Sequence, residues 1–234
     1  MGFVVHADIT PRAAARLLLS GEIDLAGLWL PAVVGKTFDE LLELSMDEIL
    51  QMIDHNPYGQ VAEVRHIPQF GKLDTVMRVP YYFVHTGQTR SDYAQLGFFL
   101  KNNITASLSA NTKFGENHGK AAALIGIADC VDKRIVLSAL TDPFCALDHE
   151  KQEMIFTRLL FRIPVVQIIL RQAAQAPVNG YDAMAQLGPS TRTRRGQSLR
   201  SIFHQLRSYH DASLNARLDH VFWEESEDAC DTEV

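Results

Sequence analysis

Apolar residues recur every three or four positions along most of this chain, and alternating apolar and polar positions are confined to short runs. This spacing predicts a mostly helical protein. A first helix is expected from Pro11 to Leu19, because Thr10 precedes a proline at the first helical position and Gly21 follows the last apolar residue. The segment 57–73, rich in Pro and Gly, is interpreted as a linker or an irregular strand pair. Further helices are predicted over residues 37–53, 74–86, 90–102 and 116–129, and a strand over 134–140.

Proline and glycine divide the C-terminal part of the chain. Pro164 is expected to interrupt the helical run 151–175, because its ring removes one helix hydrogen bond. A short helix over 180–187 then precedes a Gly188-Pro189 turn, and Ser190 is expected to cap the next helix. That helix carries an apolar stripe at Leu199, Ile202, Phe203, Leu206 and Tyr209.

The composition is that of a globular chain, but its charge is unevenly distributed. The 234 residues are 47% hydrophobic and 21% charged, which excludes a fully disordered chain, a collagen and a disulfide scaffold. Residues 155–217 contain nine arginines, two acids and no lysine, a net charge of +7, although the whole chain has a net charge of -6. Residues 218–234 contain seven acids and no basic residue. This asymmetry indicates a basic surface for an anionic partner. The acidic tail either is disordered, masks that surface, binds a basic partner, or docks on the second unit through Val221, Phe222 and Trp223.

The basic block contains the order of elements of a helix-turn-helix. The short helix and the turn at 188–190 would brace a second helix whose N-terminal end enters the major groove. Arginine can bond guanine in a bidentate manner, glutamine can bond adenine, and serine can hold a phosphate. The alternative is a solvated amphipathic helix. The predicted DNA contacts are Arg192, Arg194, Arg195, Gln197, Ser198 and Arg200.

A second candidate lies over residues 90–143. A helix that begins near Glu116 precedes the predicted strand, and a helix followed by a β-hairpin is the shape of a winged helix. Lys113 and the predicted contacts Asn117, His118 and Lys120 would face DNA in that arrangement. The alternative is a helix of small residues in the core of an α/β domain.

Two passages resemble the tandem winged-helix domains of prokaryotic restriction–modification and related defence proteins. The first is GENHGKAAALIGIADCVDKRIVLSALTDPF (115–144) and the second is PSTRTRRGQSLRSIFHQL (189–206). The chain departs from that pattern with Ile-Gly-Ile at 125–127, where Leu-Gly-Leu is usual, and with Ile202-Phe203, where Trp is common. The resemblance implies DNA binding in a defence or regulatory system.

We therefore expect a mostly α fold with small β wings, in which tandem winged-helix-like units follow an N-terminal helical region. The expected boundaries are 1–56 for the helical region, 57–150 for the first winged-helix-like unit with its linker, 151–218 for the second unit and 219–234 for the acidic tail.

Sequence signatures of catalysis are incomplete. Residues 115–121 resemble a P-loop but have three residues between the glycines and Ala after the lysine. A restriction-type metal site would use Asp54 and Glu63, but Arg65 stands where that chemistry needs lysine. Cys145 and His149 have no second pair that would complete a zinc site. We expect no cofactor and no enzymatic activity.

The expected partner is duplex DNA, bound by a cytoplasmic homodimer or larger assembly without a membrane. Three cysteines without CxxC spacing are typical of a reducing compartment, and no run of apolar residues approaches membrane-spanning length. Two alternatives stay open: a non-catalytic adaptor subunit of a nucleoprotein assembly, and a nuclease with a degenerate metal site.

Overall fold

The computed structural model describes residues 9–20, 31–101 and 106–224. This part of the chain is mostly helical and has two small sheets, which confirms the predicted mostly α composition. The helices are α1 (Pro11–Ser20), α2 (Pro31–Glu43), α3 (Met46–Asp54), α4 (Leu73–Met77), α5 (Val79–Thr86), α6 (Tyr93–Lys101), α7 (Leu108–Ile125), α8 (Thr141–Cys145), α9 (His149–Leu159), α10 (Pro164–Ala173), α11 (Pro189–Leu206) and α12 (Ala212–Asp219). The strands are β1 (Arg90–Ser91), β2 (Asp129–Val131), β3 (Arg134–Val136), β4 (Val178–Asn179) and β5 (Val221–Phe222).

A capping box separates the helices α2 and α3. The helix predicted over 37–53 is wrong as a single element, because α2 ends at Glu43 and α3 begins at Met46. Ser45 accepts the backbone N–H of Glu48 at 3.2 Å, and the Glu48 carboxylate accepts the Ser45 N–H at 3.0 Å. This capping box satisfies two N–H groups that a continuous helix would have used, and so it fixes the start of α3.

Proline also sets two helix boundaries. The helix predicted over 74–86 is two helices, α4 and α5, and Pro80 lies in the first turn of α5, where its missing N–H costs nothing. Pro164 divides the run 151–175 as predicted, and it starts α10. Every residue of α10 from Pro164 to Leu170 is buried, so this helix lies inside the core.

A buried polar network joins α10 to the N-terminal part of the chain. The Gln167 amide donates to the backbone oxygens of Leu19 at 2.8 Å and Phe161 at 2.7 Å, and its oxygen accepts from the Asn56 amide. Arg171 donates to the backbone oxygen of Asn56 at 2.5 Å. Because an unpaired polar group would be costly at this depth, the network fixes where the chain after α3 lies on α10.

The segment 57–73 contains neither a strand nor a free linker. Its one regular element is a 3-10 turn at Val64–His66, and Ile67 and Phe70 are buried in the common core. The strand pair interpreted there is wrong. Distant side chains, among them Arg171, Arg195 and Ser198, bond its backbone instead of a neighbouring strand.

The middle of the chain forms a three-stranded antiparallel sheet packed on α6 and α7. The strand order is β1-β3-β2, with Arg90 opposite Val136 and Cys130 opposite Ile135. The elements predicted here have other bounds in the structure. Residues 90 and 91 belong to β1 rather than to the helix predicted over 90–102, α7 begins at Leu108 rather than at 116, and β3 ends at Val136 rather than at 140. The Ser138 hydroxyl donates to the Gly126 oxygen at 2.7 Å, so the chain after β3 turns back towards the end of α7.

Glycines allow α6 and α7 to approach each other backbone to backbone. A Cβ added to Gly97 would overlap the Asn111 carbonyl, and one added to Gly115 would overlap the Tyr93 carbonyl. On the next turn, Gly119 leaves room for the side chain of Ile135 from β3. Small residues on this face of α7 are therefore required by the packing of α6 and the sheet.

The C-terminal elements differ most from the prediction. Residues 180–187 contain only a 3-10 turn at Asp182–Met184, and Gly188 rather than Ser190 stands at the N-cap of α11, without a side-chain cap. The predicted apolar stripe of α11 is confirmed, with Leu199, Ile202, Phe203 and Leu206 buried.

The second sheet is formed by β4 and β5, which run parallel. Trp223 follows β5 and packs edge-on against Tyr181 and Phe203, with ring centroids 5.6 and 5.7 Å apart, over the space left by Gly180. The folded chain therefore continues through Glu224, into the segment expected as an acidic tail. Residues 225–234 lie outside the described part, so the tail's masking role stays a prediction.

We expect Gly115→Ala to lower the free energy of unfolding by about 1–3 kcal/mol, because the new methyl group forces α6 and α7 apart. Gly35→Ala is the matched control. Gly35 is exposed on α2 with nothing near its Cβ position, so this change should stabilise the protein by about 0.5–1 kcal/mol. Urea unfolding of both variants measures the two effects. Equal effects of the same sign would contradict the close helix contact.

Candidate nucleic-acid interface

Helix α7 has one buried face and one polar face. Asn111, Gly115, His118 and Ala122 face the core, whereas Lys113 and Lys120 are exposed and Asn117 is half-buried. The buried face is covered by α6 and the sheet, so the polar face is directed away from both. Lys120 is thus exposed and Asn117 borders the surface, and the contact of both with DNA stays a prediction.

A carboxylate organises the lysines on the polar face. Glu116 accepts from Lys120 at 2.6 Å and from Lys113 at 2.9 Å. The hydrogen bond from Lys120 has the largest effect and that from Lys113 the next, and both lower the pKa of Glu116. Its carboxylate is therefore ionised at neutral pH. The three side chains together carry a charge of +1, and each lysine is held by one oxygen while its other N–H groups stay in solvent.

The polar face of α7 forms one wall of a cleft of about 640 Å³. The opposite wall consists of the segment 64–69 together with Arg195, which lies in the second turn of α11. The cleft thus brings together the two regions that the sequence analysis identified separately. Its charged and polar lining is Arg65, Gln69, Lys113, Glu116, Asn117, Lys120 and Arg195.

Arg195 holds that wall in place. Its guanidinium donates to the backbone oxygens of Val64 at 2.7 Å and Ile67 at 2.5 Å. Desolvation and then the neighbouring Arg194 lower the pKa of Arg195, but a guanidinium stays charged at any physiological pH. Arg195 therefore contributes charge to the cleft while it fixes the shape of the segment 64–69.

Two further predicted contacts on α11, Ser198 and Arg200, also have partners within the protein. The Ser198 hydroxyl is buried, donates to the Phe70 oxygen at 3.0 Å and accepts the Phe70 N–H at 2.9 Å. Arg200 lies over the rings of Tyr181 and Trp223 and donates to the Tyr181 hydroxyl at 2.9 Å. Ser198 is thus corrected to a core residue. Arg200 is exposed and also holds the C-terminal strand through the Trp223 oxygen, so its contact with DNA stays a prediction.

His118 is also corrected to a core residue. It is 2% exposed, its Nδ1 donates to the Phe114 oxygen at 2.8 Å, and its Nε2 accepts the Gly71 N–H at 3.3 Å. Both ring nitrogens are used, so the imidazole connects α7 to the segment 64–71 rather than to a ligand. Burial lowers the pKa of His118, which favours the neutral ring that this pair of bonds requires.

The helix-turn-helix predicted at 179–210 lacks its first helix, because only β4 and a 3-10 turn precede α11. Arg192, Arg194 and Gln197 remain at or near the surface. Arg194 bonds the Ser190 oxygen at 3.2 Å within its own helix. These three side chains are available to a ligand, but no bracing helix positions them for a groove.

The hairpin between β2 and β3 adds two exposed cations that are absent from the predicted contacts. Asp132 and Lys133 adopt positive φ values of 50° and 59°, which make the tight connection, and Lys133 and Arg134 are exposed there. Lys133 also lies in a depression shared with Lys120 and Glu116. The Asp-Lys pair signals the turn, but β2 is only three residues long and its bounds could not be predicted from the sequence.

The carboxylates of the weak nuclease pattern have other partners. Asp54 accepts from Arg217 at 2.6 Å, and Glu63 pairs with Arg65 at 2.7 Å on the surface. The described ranges contain no group of three or more His, Cys, Asp or Glu side chains that could hold a metal ion.

Comparisons with known proteins add no relative. No protein-family model matches the chain, and searches of curated proteins and of solved structures find no match. Among the described helices, none combines the length and apolar character needed to cross a membrane.

We predict that His118→Gln reduces the acid sensitivity of the fold. The lowered folded-state pKa of His118 means that the unfolded chain binds a proton below about pH 6.5 and the folded protein does not. Its contribution is present above that pH and is lost as pH falls towards the lowered value. Urea unfolding between about pH 7.5 and pH 5.5 should therefore show a steeper loss for the wild type than for the variant. Parallel curves would contradict this role.

Proposed function

We propose that this protein binds duplex DNA and that α7 is the helix that enters the major groove. The observation that carries the proposal is the order of elements from α5 to β3. This order is helix, strand, helix, helix and two strands, with the first strand paired to the last. The same order of elements is found in winged helices, and in the proposal α6 and α7 act as the helix-turn-helix pair and the β2–β3 hairpin acts as the wing.

The side chains that this arrangement leaves outside suit a DNA surface. Lys113 and Lys120 lie on the polar face of α7, and Lys133 and Arg134 lie on the hairpin. Residues 79–136, from α5 to β3, contain six basic and four acidic side chains, so this unit is positive within a chain that is negative overall. Lysines supply the contacts to phosphate that position a protein on DNA, and the Asn117 amide is a side chain that reads adenine.

This proposal moves the groove-reading role from α11 to α7. Arg195, Ser198 and Arg200 bond or pack against other parts of the chain, which leaves Arg192, Arg194 and Gln197 as supporting contacts to the backbone of DNA. A setting in prokaryotic defence or gene regulation is part of the proposal and rests on the sequence resemblance alone.

We expect Lys113→Ala combined with Lys120→Ala to weaken binding to a short duplex and to make its salt dependence shallower. Each phosphate contact contributes about -0.9 to the slope of log affinity against log salt, so the slope should become less negative by about 1.8. Fluorescence anisotropy of a labelled duplex at several salt concentrations measures both quantities.

Two single variants complete this test. Glu116→Gln should tighten binding, because it removes the negative charge between the two lysines without changing the size of the side chain. Lys36→Ala, on the exposed face of α2, should change neither affinity nor slope. Absence of any shift with duplex DNA at low salt would reject the proposal and favour the adaptor alternative. An unchanged slope in the double variant would reject the assignment to α7.

A further inference from the structure

The cleft beside α7 combines apolar walls with polar groups at its edge. Val64, Ile67 and Pro68 line one side, and Ala123 and Leu124 of α7 line the other. The cationic groups Arg65, Lys113, Lys120 and Arg195 are part of the same lining. Apolar surface bordered by cations fits a ligand that has a flat, weakly polar body and an attached anion.

Two amides in the cleft are ready to bond such a body. Within the described ranges, the side chains of Gln69 and Asn117 show no hydrogen bond, although both are half-buried and border the cleft. Each amide offers a donor and an acceptor together, the combination that the edge of a nucleobase requires. By contrast, the neighbouring polar groups Glu116, His118 and Arg195 already have protein partners.

The size of the cleft selects among nucleic-acid ligands. Its volume of about 640 Å³ lies within the range of small-ligand sites. A stacked base pair in a duplex presents only its edge in the groove, so intact duplex leaves the apolar walls of the cleft uncovered. A base that has left the stack can enter between apolar side chains and expose its pairing edge to protein amides.

We propose that this cleft receives one unpaired nucleotide of the bound DNA. The base lies between Pro68 and Leu124, Asn117 and Gln69 bond its edge, and Lys113 and Lys120 hold the flanking phosphates. This inference rests on the proposed DNA binding and adds that the preferred DNA contains a mispaired or unpaired base. Such a base is favoured because less stacking and pairing is lost when it leaves the duplex.

The experiment uses the full chain and two duplexes that differ in one pair. Both contain 2-aminopurine, whose fluorescence rises when it leaves the stack, either paired with thymine or placed opposite a non-complementary base. We expect the mispaired duplex to bind about tenfold more tightly and its fluorescence to rise on binding. Two Ala→Phe variants, one inside the cleft and one away from it, test whether the cleft receives the base.

Ala123→Phe fills the cleft and should abolish both the fluorescence rise and the preference for the mispaired duplex. Ala146→Phe, at the exposed end of α8, should retain both. Asn117→Ala gives an independent reading without added bulk, and it should reduce the preference by several-fold. Thermal unfolding establishes that each variant is folded.

The outcomes separate the two proposals. Equal affinity for the two duplexes, with no rise in fluorescence, overturns the nucleotide site while DNA binding stands. A rise that persists in folded Ala123→Phe also overturns the site, because the base must then leave the stack elsewhere. No binding to either duplex overturns the proposed function and this inference with it.

Discussion

The contact between the backbones of α6 and α7 is the constraint on which the candidate interface depends. At Gly97 and Gly115 the two helices leave no space for a Cβ, and at Gly119 the sheet fills the space through Ile135. Such close contacts fix the rotation of α7 about its own axis, because any turn would drive a larger side chain into a carbonyl. The rotation in turn determines that Lys113, Asn117 and Lys120 are the residues presented outward.

The second wall of the cleft depends on side chains from distant parts of the chain. Arg195 and Ser198 bond the backbone of the segment 64–70, and Arg171 bonds the backbone just before it. A segment with little regular structure cannot pair its own polar groups, so it takes donors from α10 and α11. These arginines account for part of the +7 charge of residues 155–217, which is therefore partly structural in origin.

The sequence predicts well what local chemistry decides and less well what depends on distant partners. The stripe on α11 and the division at Pro164 follow from periodicity and backbone geometry. Ser198 and Arg195 look like DNA contacts because their partners, Phe70 and Val64, lie more than 120 residues earlier, at separations of 128 and 131. His118 is similar, since nothing near it in sequence shows that the Gly71 N–H needs an acceptor. The spacing of Ser45 and Glu48 is that of a capping box and marks the start of α3. The leucines continue at helical spacing across this point and therefore predict a single helix.

The central claim is that DNA meets this protein at the outward face of α7 and the adjoining hairpin. Hydrogen exchange of the full chain, with and without a saturating short duplex at low salt, tests it most directly. The account predicts slower exchange over residues 112–124 and 129–136, with little change in α1 to α3. Protection confined to α11, or to the N-terminal helices, would contradict it.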